Sequence, residues 1–72
     1  MSVAIQDSPQ MTQRETEVIK WVSHGKTAWE VGMILGISYI TVNNHISSAR
    51  AKLDAVTTTH LVAKALRRGI IT

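Results

Sequence analysis

Apolar side chains recur at helical spacing in four separate stretches of this chain, and nowhere with the alternation of a strand. The longest stretch organises the others. From Ser38 to Leu53, the residues Val42, Ile46, Ala49 and Leu53 follow at spacings of four, three and four, one stripe of a 3.6-residue helix. Ser38 stands at its head as an N-cap, its hydroxyl placed to accept from a first-turn backbone N–H. The opposite face carries Asn43, Asn44, Ser47 and Arg50 and meets no acid until Asp54. Such side chains suit base edges and phosphates, and a polyanion tolerates a face on which no carboxylate is pressed against it. The same residues also fit an ordinary solvated surface, so the neighbouring segments decide between the two.

Upstream, Thr12 and Glu15 form a capping box that starts a helix running to about His24, with Val18, Ile19 and Val22 inward and Trp21 at the core's border. Gly25 supplies its left-handed stop. A second box, Thr27 with Glu30, starts a short helix with apolar positions Val31, Ile34 and Leu35, and Gly36 ends it. Gly32 inside that helix costs about 1 kcal/mol against Ala, which predicts compensation by the close approach of another helix. Only Gly36 and Ile37 separate Leu35 from Ser38. A short helix, a glycine-containing turn and a longer helix with a polar outer face make a helix-turn-helix pattern.

Downstream, one of Thr57, Thr58 and Thr59 caps a last helix that runs to about Arg68 and stops at Gly69. Its apolar residues Leu61, Val62, Ala65 and Leu66, widened by Ala63, cover more arc than one core stripe requires. The excess predicts a dimer interface, unless Ile70 and Ile71 fold back over it. Residues 1–10 are polar and aperiodic around Ser8-Pro9, a flexible tail or linker stub. The expected architecture is all-α, with four helices over residues 11–72 and a central helix-turn-helix.

Composition narrows the function. Seventy-two residues make one small domain, too short for a sheet-based enzyme to enclose a pocket. The absence of cysteine removes disulfides and thiolate metal sites, leaving helix packing to stabilise the fold. His24, His45 and His60 fall on different predicted helices with no i, i+4 pair, so no metal site is expected. No serine or acid stands as a nucleophile on a strained turn beside a base, and neither an enzyme nor a cofactor is expected. Trp21 and Trp29 lie among core positions, which favours packing over stacking on single-stranded nucleic acid. No apolar run reaches the length of a membrane span and the N-terminus lacks a signal peptide's apolar core, which points to the cytoplasm by default. The net charge is +3 and uneven. Residues 1–37 carry Arg14, Lys20 and Lys26 against Asp7, Glu15, Glu17 and Glu30, a net −1. Residues 38–72 carry Arg50, Lys52, Lys64, Arg67 and Arg68 against Asp54 alone, a net +4, which suits a polyanion partner.

The order of these signals resembles the LuxR-type DNA-binding domain. The resemblance covers Met11 to Thr72 and rests on Thr12-x-Arg14-Glu15, Val18, Gly25-Lys26-Thr27, Glu30-Val31, Ser38, Thr41-Val42, His45, Lys52-Leu53 and Gly69-Ile70-Ile71. Lys20-Trp21 and Thr27-x-Trp29-Glu30 are most similar to the quorum-sensing branch, whose members join this domain to an N-terminal acyl-homoserine-lactone receptor. These 72 residues hold no such receptor, which fits either an excised C-terminal domain or a small stand-alone regulator. The resemblance implies binding to double-stranded DNA, with the third helix in the major groove and a homodimer formed through Leu61, Val62, Ala65 and Leu66. It implies base reading by Asn43, Asn44 and Ser47, and phosphate contacts from Lys26 and Thr27, with Thr41, His45, Arg50 and Lys52 as further candidates. It allows RNA polymerase or a full-length LuxR-type regulator as a protein partner. In an alternative reading the chain is an interaction module that pairs with full-length regulators and inhibits them.

Two features depart from the family pattern, the Asn and Ser at base-reading positions 43, 44 and 47, and Ile40. Base-reading positions in relatives often carry Arg or Lys, whereas Asn pairs geometrically with adenine N6 and N7. Ile40 falls on the outward arc where relatives carry a small or polar residue, so it either meets a thymine methyl or covers a hydrophobic neighbour.

Overall fold

The computed structural model describes residues 10–72; the tail expected over residues 1–10 lies, except for Gln10, outside the described residues. The described residues form four helices, α1 (Gln13–Ser23), α2 (Ala28–Leu35), α3 (Tyr39–Leu53) and α4 (Thr58–Arg67), and no strand. Each begins at a hydroxyl cap. Thr12 Oγ1 accepts from Glu15 N at 3.0 Å while Glu15 Oε1 accepts from Thr12 N at 2.9 Å, closing the first capping box. Thr27 and Glu30 repeat the arrangement at 3.2 and 2.8 Å. Ser38 Oγ accepts from Thr41 N, and Thr57 Oγ1 from His60 N. Every helix thus satisfies one orphan donor with a side chain adjacent in sequence, which is why the starts were readable locally.

Helix α3 is the hub. It packs on each of the other three helices, and α1 also meets α2 and α4. Val42, Ile46, Ala49 and Leu53 are all buried, joined in one core by Val18 and Ile19 of α1, Val31 of α2, and Leu61 and Ala65 of α4. Ala55 and Ile71 complete it, so the C-terminal segment does fold back onto the bundle. Leu61 and Ala65, expected at a dimer interface, therefore belong to the monomer core, because α4 turns that edge toward the cluster it closes.

Gly32 is compensated differently from the expectation. A Cβ there would stand 2.6 Å from the carbonyl oxygen of Ile37, so what approaches is the backbone of the α2–α3 turn and not the side of another helix. Gly32 O also accepts from Ile37 N at 3.0 Å. Gly36, at φ 72°, makes the left-handed step that lets the chain reverse in so few residues. Together these two glycines set the angle at which α3 leaves α2.

Helix α2 buries less than expected. Val31 is fully buried, but Ile34 is 45% and Trp29 63% exposed, and Leu35 is half-buried. The segment AWEVGMIL is apolar nearly all round, so its periodicity could not say which side faces inward. Trp29, Gly32, Met33 and Tyr39 instead line an open apolar cleft on the outside of the helix-turn-helix.

Candidate nucleic-acid interface

The outer side of α3 follows from the phase of its core stripe. With Val42, Ile46, Ala49 and Leu53 inward, the opposite ridge is Ile40, Asn44, Ser47 and Ala51 at i, i+4, i+7 and i+11, with Asn43 beside it; all five are exposed. The structure thus brings the proposed base readers Asn43, Asn44 and Ser47 onto one accessible face. No carboxylate interrupts that face before Asp54, the left-handed C-cap of α3 at φ 55°.

The basic residues divide into two groups. Lys26 is exposed at the head of α2, where Thr27 Oγ1 accepts from Glu30 N. The Glu30 carboxyl is held below the usual carboxylate range mainly by hydrogen bonds from Thr27. Arg67 and Arg68 are exposed at the end of α4. Lys20 is also exposed, and Arg14 pairs with Glu17 on the surface of α1, whereas Arg50, Lys64 and Lys52 are turned to internal partners. Arg50 donates to the carbonyls of Ala55 and Val56, and Lys64 Nζ donates to those of Leu53 and Asp54, both at 3.0 Å. These contacts close the C-terminal end of α3, where cations meet the negative end of the helix dipole. Carbonyls do not neutralise the charges, so Arg50 and Lys64 still contribute to a positive potential.

Lys52 is the clearest departure. Its Nζ lies 2.8 Å from Glu15 Oε1 and 3.0 Å from the Gln10 carbonyl oxygen, an internal brace in place of an outward phosphate contact. The reason is helical phase. Thr41, His45, Ser48 and Lys52 share the flank of α3 at i, i+4, i+7 and i+11; Thr41 and His45 are half-buried there, and Ser48 Oγ donates to Glu15 Oε2 at 2.6 Å. Thr41 Oγ1 pairs with Ser38 Oγ at 3.0 Å. The C-terminal half of this flank, Ser48 and Lys52, meets α1, and the flank lies about a quarter-turn round the helix from the Asn-bearing ridge. Burial raises the Glu15 carboxyl, but hydrogen bonds from Lys52, Ser48 and the Thr12 N–H, with the Lys52 charge, outweigh it and hold the pKa at about 2. A buried acid at a capping-box position gave no sign in the sequence that it would also bind α3.

On α4, Val62 and Ala63 are half-buried and Leu66 is 46% exposed. With Val22, Gly25, Thr58 and Thr59 they line an open, mostly apolar groove between α4 and the end of α1. The apolar arc left for a second chain is therefore narrower than the sequence suggested. Among the described residues, no three His, Asp or Glu side chains gather as metal ligands, and no helix is long and apolar enough to cross a membrane.

A four-helix domain with a helix-turn-helix at α2–α3 and an exposed, carboxylate-free outer ridge defines a class of DNA-binding modules. The chain belongs to the luxR family of bacterial regulatory proteins, whose profile matches residues 9–65. It is 52% identical over 64 residues to the transcriptional activator protein BjaR1 of Bradyrhizobium diazoefficiens, covering 89% of this chain and 26% of that protein. It is 49% identical over 61 residues to the quorum sensing-dependent transcriptional regulator RpaR of Rhodopseudomonas palustris, covering 85% and 25%. The chain thus spans about a quarter of the length of these relatives, which are transcription regulators and not enzymes. Its fold matches Escherichia coli SdiA with a TM-score of 0.80 at 37% identity, covering 96% of this chain and 30% of that one. It matches VqmA from a Vibrio ligand–DNA complex with a TM-score of 0.79 at 30% identity, covering 97% and 31%.

Proposed function

We propose that this domain reads double-stranded DNA by laying the outer ridge of α3 in the major groove, as the DNA-binding part of a quorum-sensing transcription regulator in the bacterial cytoplasm. The observation that carries the reading is the exposed ridge itself, a continuous line of short polar and apolar side chains free of acids on a buried-core helix. Asn43 and Asn44 are suited to adenine, and Ser47 reaches bases directly or through water. Lys26 and the Thr27 hydroxyl, at the head of α2, meet the phosphate backbone, where the first helix of such a motif crosses it. Arg50 adds charge at the edge of the ridge. Two copies pair through Val62, Ala63 and Leu66 of α4, which places two α3 helices on half-sites about one turn of DNA apart. The apolar cleft of Trp29, Met33 and Tyr39 stays open on the far side of the turn and offers a face for RNA polymerase or another protein.

The test is fluorescence anisotropy with duplex DNA over a series of salt concentrations. Binding should weaken steeply, with a log–log slope of about −0.9 for each phosphate neutralised. A flat response, together with tight capture by a full-length regulator, would favour the inhibitory interaction module.

A further inference from the structure

The Ile40 side chain is 59% exposed on the second residue of α3, a large apolar group at the N-terminal end of the outer face that carries Asn43, Asn44 and Ser47. Two destinations were open for it, a hydrophobic neighbour or the DNA. The apolar cleft beside the turn is lined by Trp29, Gly32, Met33, Gly36, Ile37 and Tyr39, and Ile40 takes no part in it. Tyr39, one residue earlier, is rotated by about 100° and supplies the cleft's wall, which leaves Ile40 on the Asn44–Ser47–Ala51 ridge nearly opposite the core stripe.

We infer that Ile40 is a specificity-determining residue that packs on the 5-methyl group of a thymine; the inference rests on the major-groove reading above. Recognition helices present their N-terminal residues to base edges, and Ile40 belongs to the first turn of α3. In the major groove only thymine displays a methyl group, and an apolar side chain is what distinguishes it from the polar edges of the other bases. Ile40 stands one turn before Asn43 and Asn44, about 5–6 Å along the axis, a distance that spans neighbouring base pairs. A site with a thymine next to the adenine read by an asparagine is therefore preferred. A β-branched side chain has few rotamers to lose on contact, so Ile40 meets the methyl with its shape already set.

The experiment uses the 72-residue chain and a randomised duplex pool. Duplexes enriched by the chain are resynthesised with each thymine replaced singly by deoxyuridine, which deletes the methyl and keeps the O4 acceptor. One position per half-site should lose affinity by about fourfold, the effect of one buried methyl group. Ile40→Ala should abolish that discrimination, binding the thymine and uracil duplexes equally, while melting like the parent because the side chain is exposed. If no duplex is enriched, the DNA-binding reading fails and the inference falls with it. If a duplex is enriched but no uracil substitution weakens binding, or if Ile40→Ala keeps the uracil penalty, the inference fails while DNA binding stands.

Discussion

Lys52 Nζ sits 2.8 Å from Glu15 Oε1, joining the last turn of α3 to the first turn of α1 across 37 residues of sequence. Glu15 is 3% exposed, and its carboxylate also accepts from Ser48 Oγ and from its own cap's N–H. A buried charge with this many donors fixes a single relative placement of the two helices, and with it the direction in which the α3 ridge points.

The brace makes stability depend on pH. The Glu15 pKa falls from its ordinary 4.5 to about 2 on folding. A depressed folded value means the contribution is fully present above the unfolded pKa and is lost as pH falls from about 4.5 towards about 2. Its size is on the order of 3 kcal/mol. Urea denaturation at pH 6 and pH 2.5 should show a large loss for the parent chain and a much smaller one for Glu15→Gln. An equal loss in both would place the acid sensitivity elsewhere.

The α2–α3 turn leaves no room for a methyl at Gly32. Gly32→Ala gains about 1 kcal/mol of helix propensity, but its Cβ would lie 2.6 Å from a backbone oxygen that cannot rotate away. The net effect should be a destabilisation of about 1–3 kcal/mol, with DNA binding reduced further because α3 is re-aimed. Thermal melting with a titration at a temperature where the variant is folded separates the two effects.

Leu61 and Leu66 should respond differently to the same change. Leu61 is 1% exposed and Leu66 46% exposed on the same helix. Leu61→Glu should unfold the chain. Leu66→Glu should leave the melting temperature nearly unchanged and weaken cooperative binding to a two-half-site duplex far more than binding to one half-site. Equal losses on both duplexes would remove Leu66 from the proposed dimer.

What the sequence revealed about this domain was local. The caps at Thr12, Thr27 and Ser38 and the stripe of α3 were legible because each depends on neighbours within one or two turns, whereas the last cap was narrowed only to Thr57, Thr58 or Thr59 and is Thr57. The inward side of α2 was not, since an eight-residue helix with few polar positions has no clear phase. Trp29, which falls among core positions in the sequence, lies outside, and the apolar Ile34 is 45% exposed. Leu61 and Ala65 looked equivalent to Val62 and Leu66 until the packing of α4 separated them. Lys52 read as a free cation because its partner, Glu15, lies far away in sequence and already had a capping role.

In the proposed complex α3 reads sequence while the head of α2 positions the domain on the phosphates. Paired titrations of Asn44→Ala and Lys26→Ala on an enriched duplex and a random duplex, at several matched salt concentrations, test it most directly. Asn44→Ala should cost about 1–3 kcal/mol on the enriched duplex and little on random DNA, leaving the salt slope unchanged. Lys26→Ala should weaken both duplexes alike and reduce the slope by about one unit. Equal losses on both duplexes from Asn44→Ala, with a loss confined to the enriched duplex from Lys26→Ala, would contradict the account.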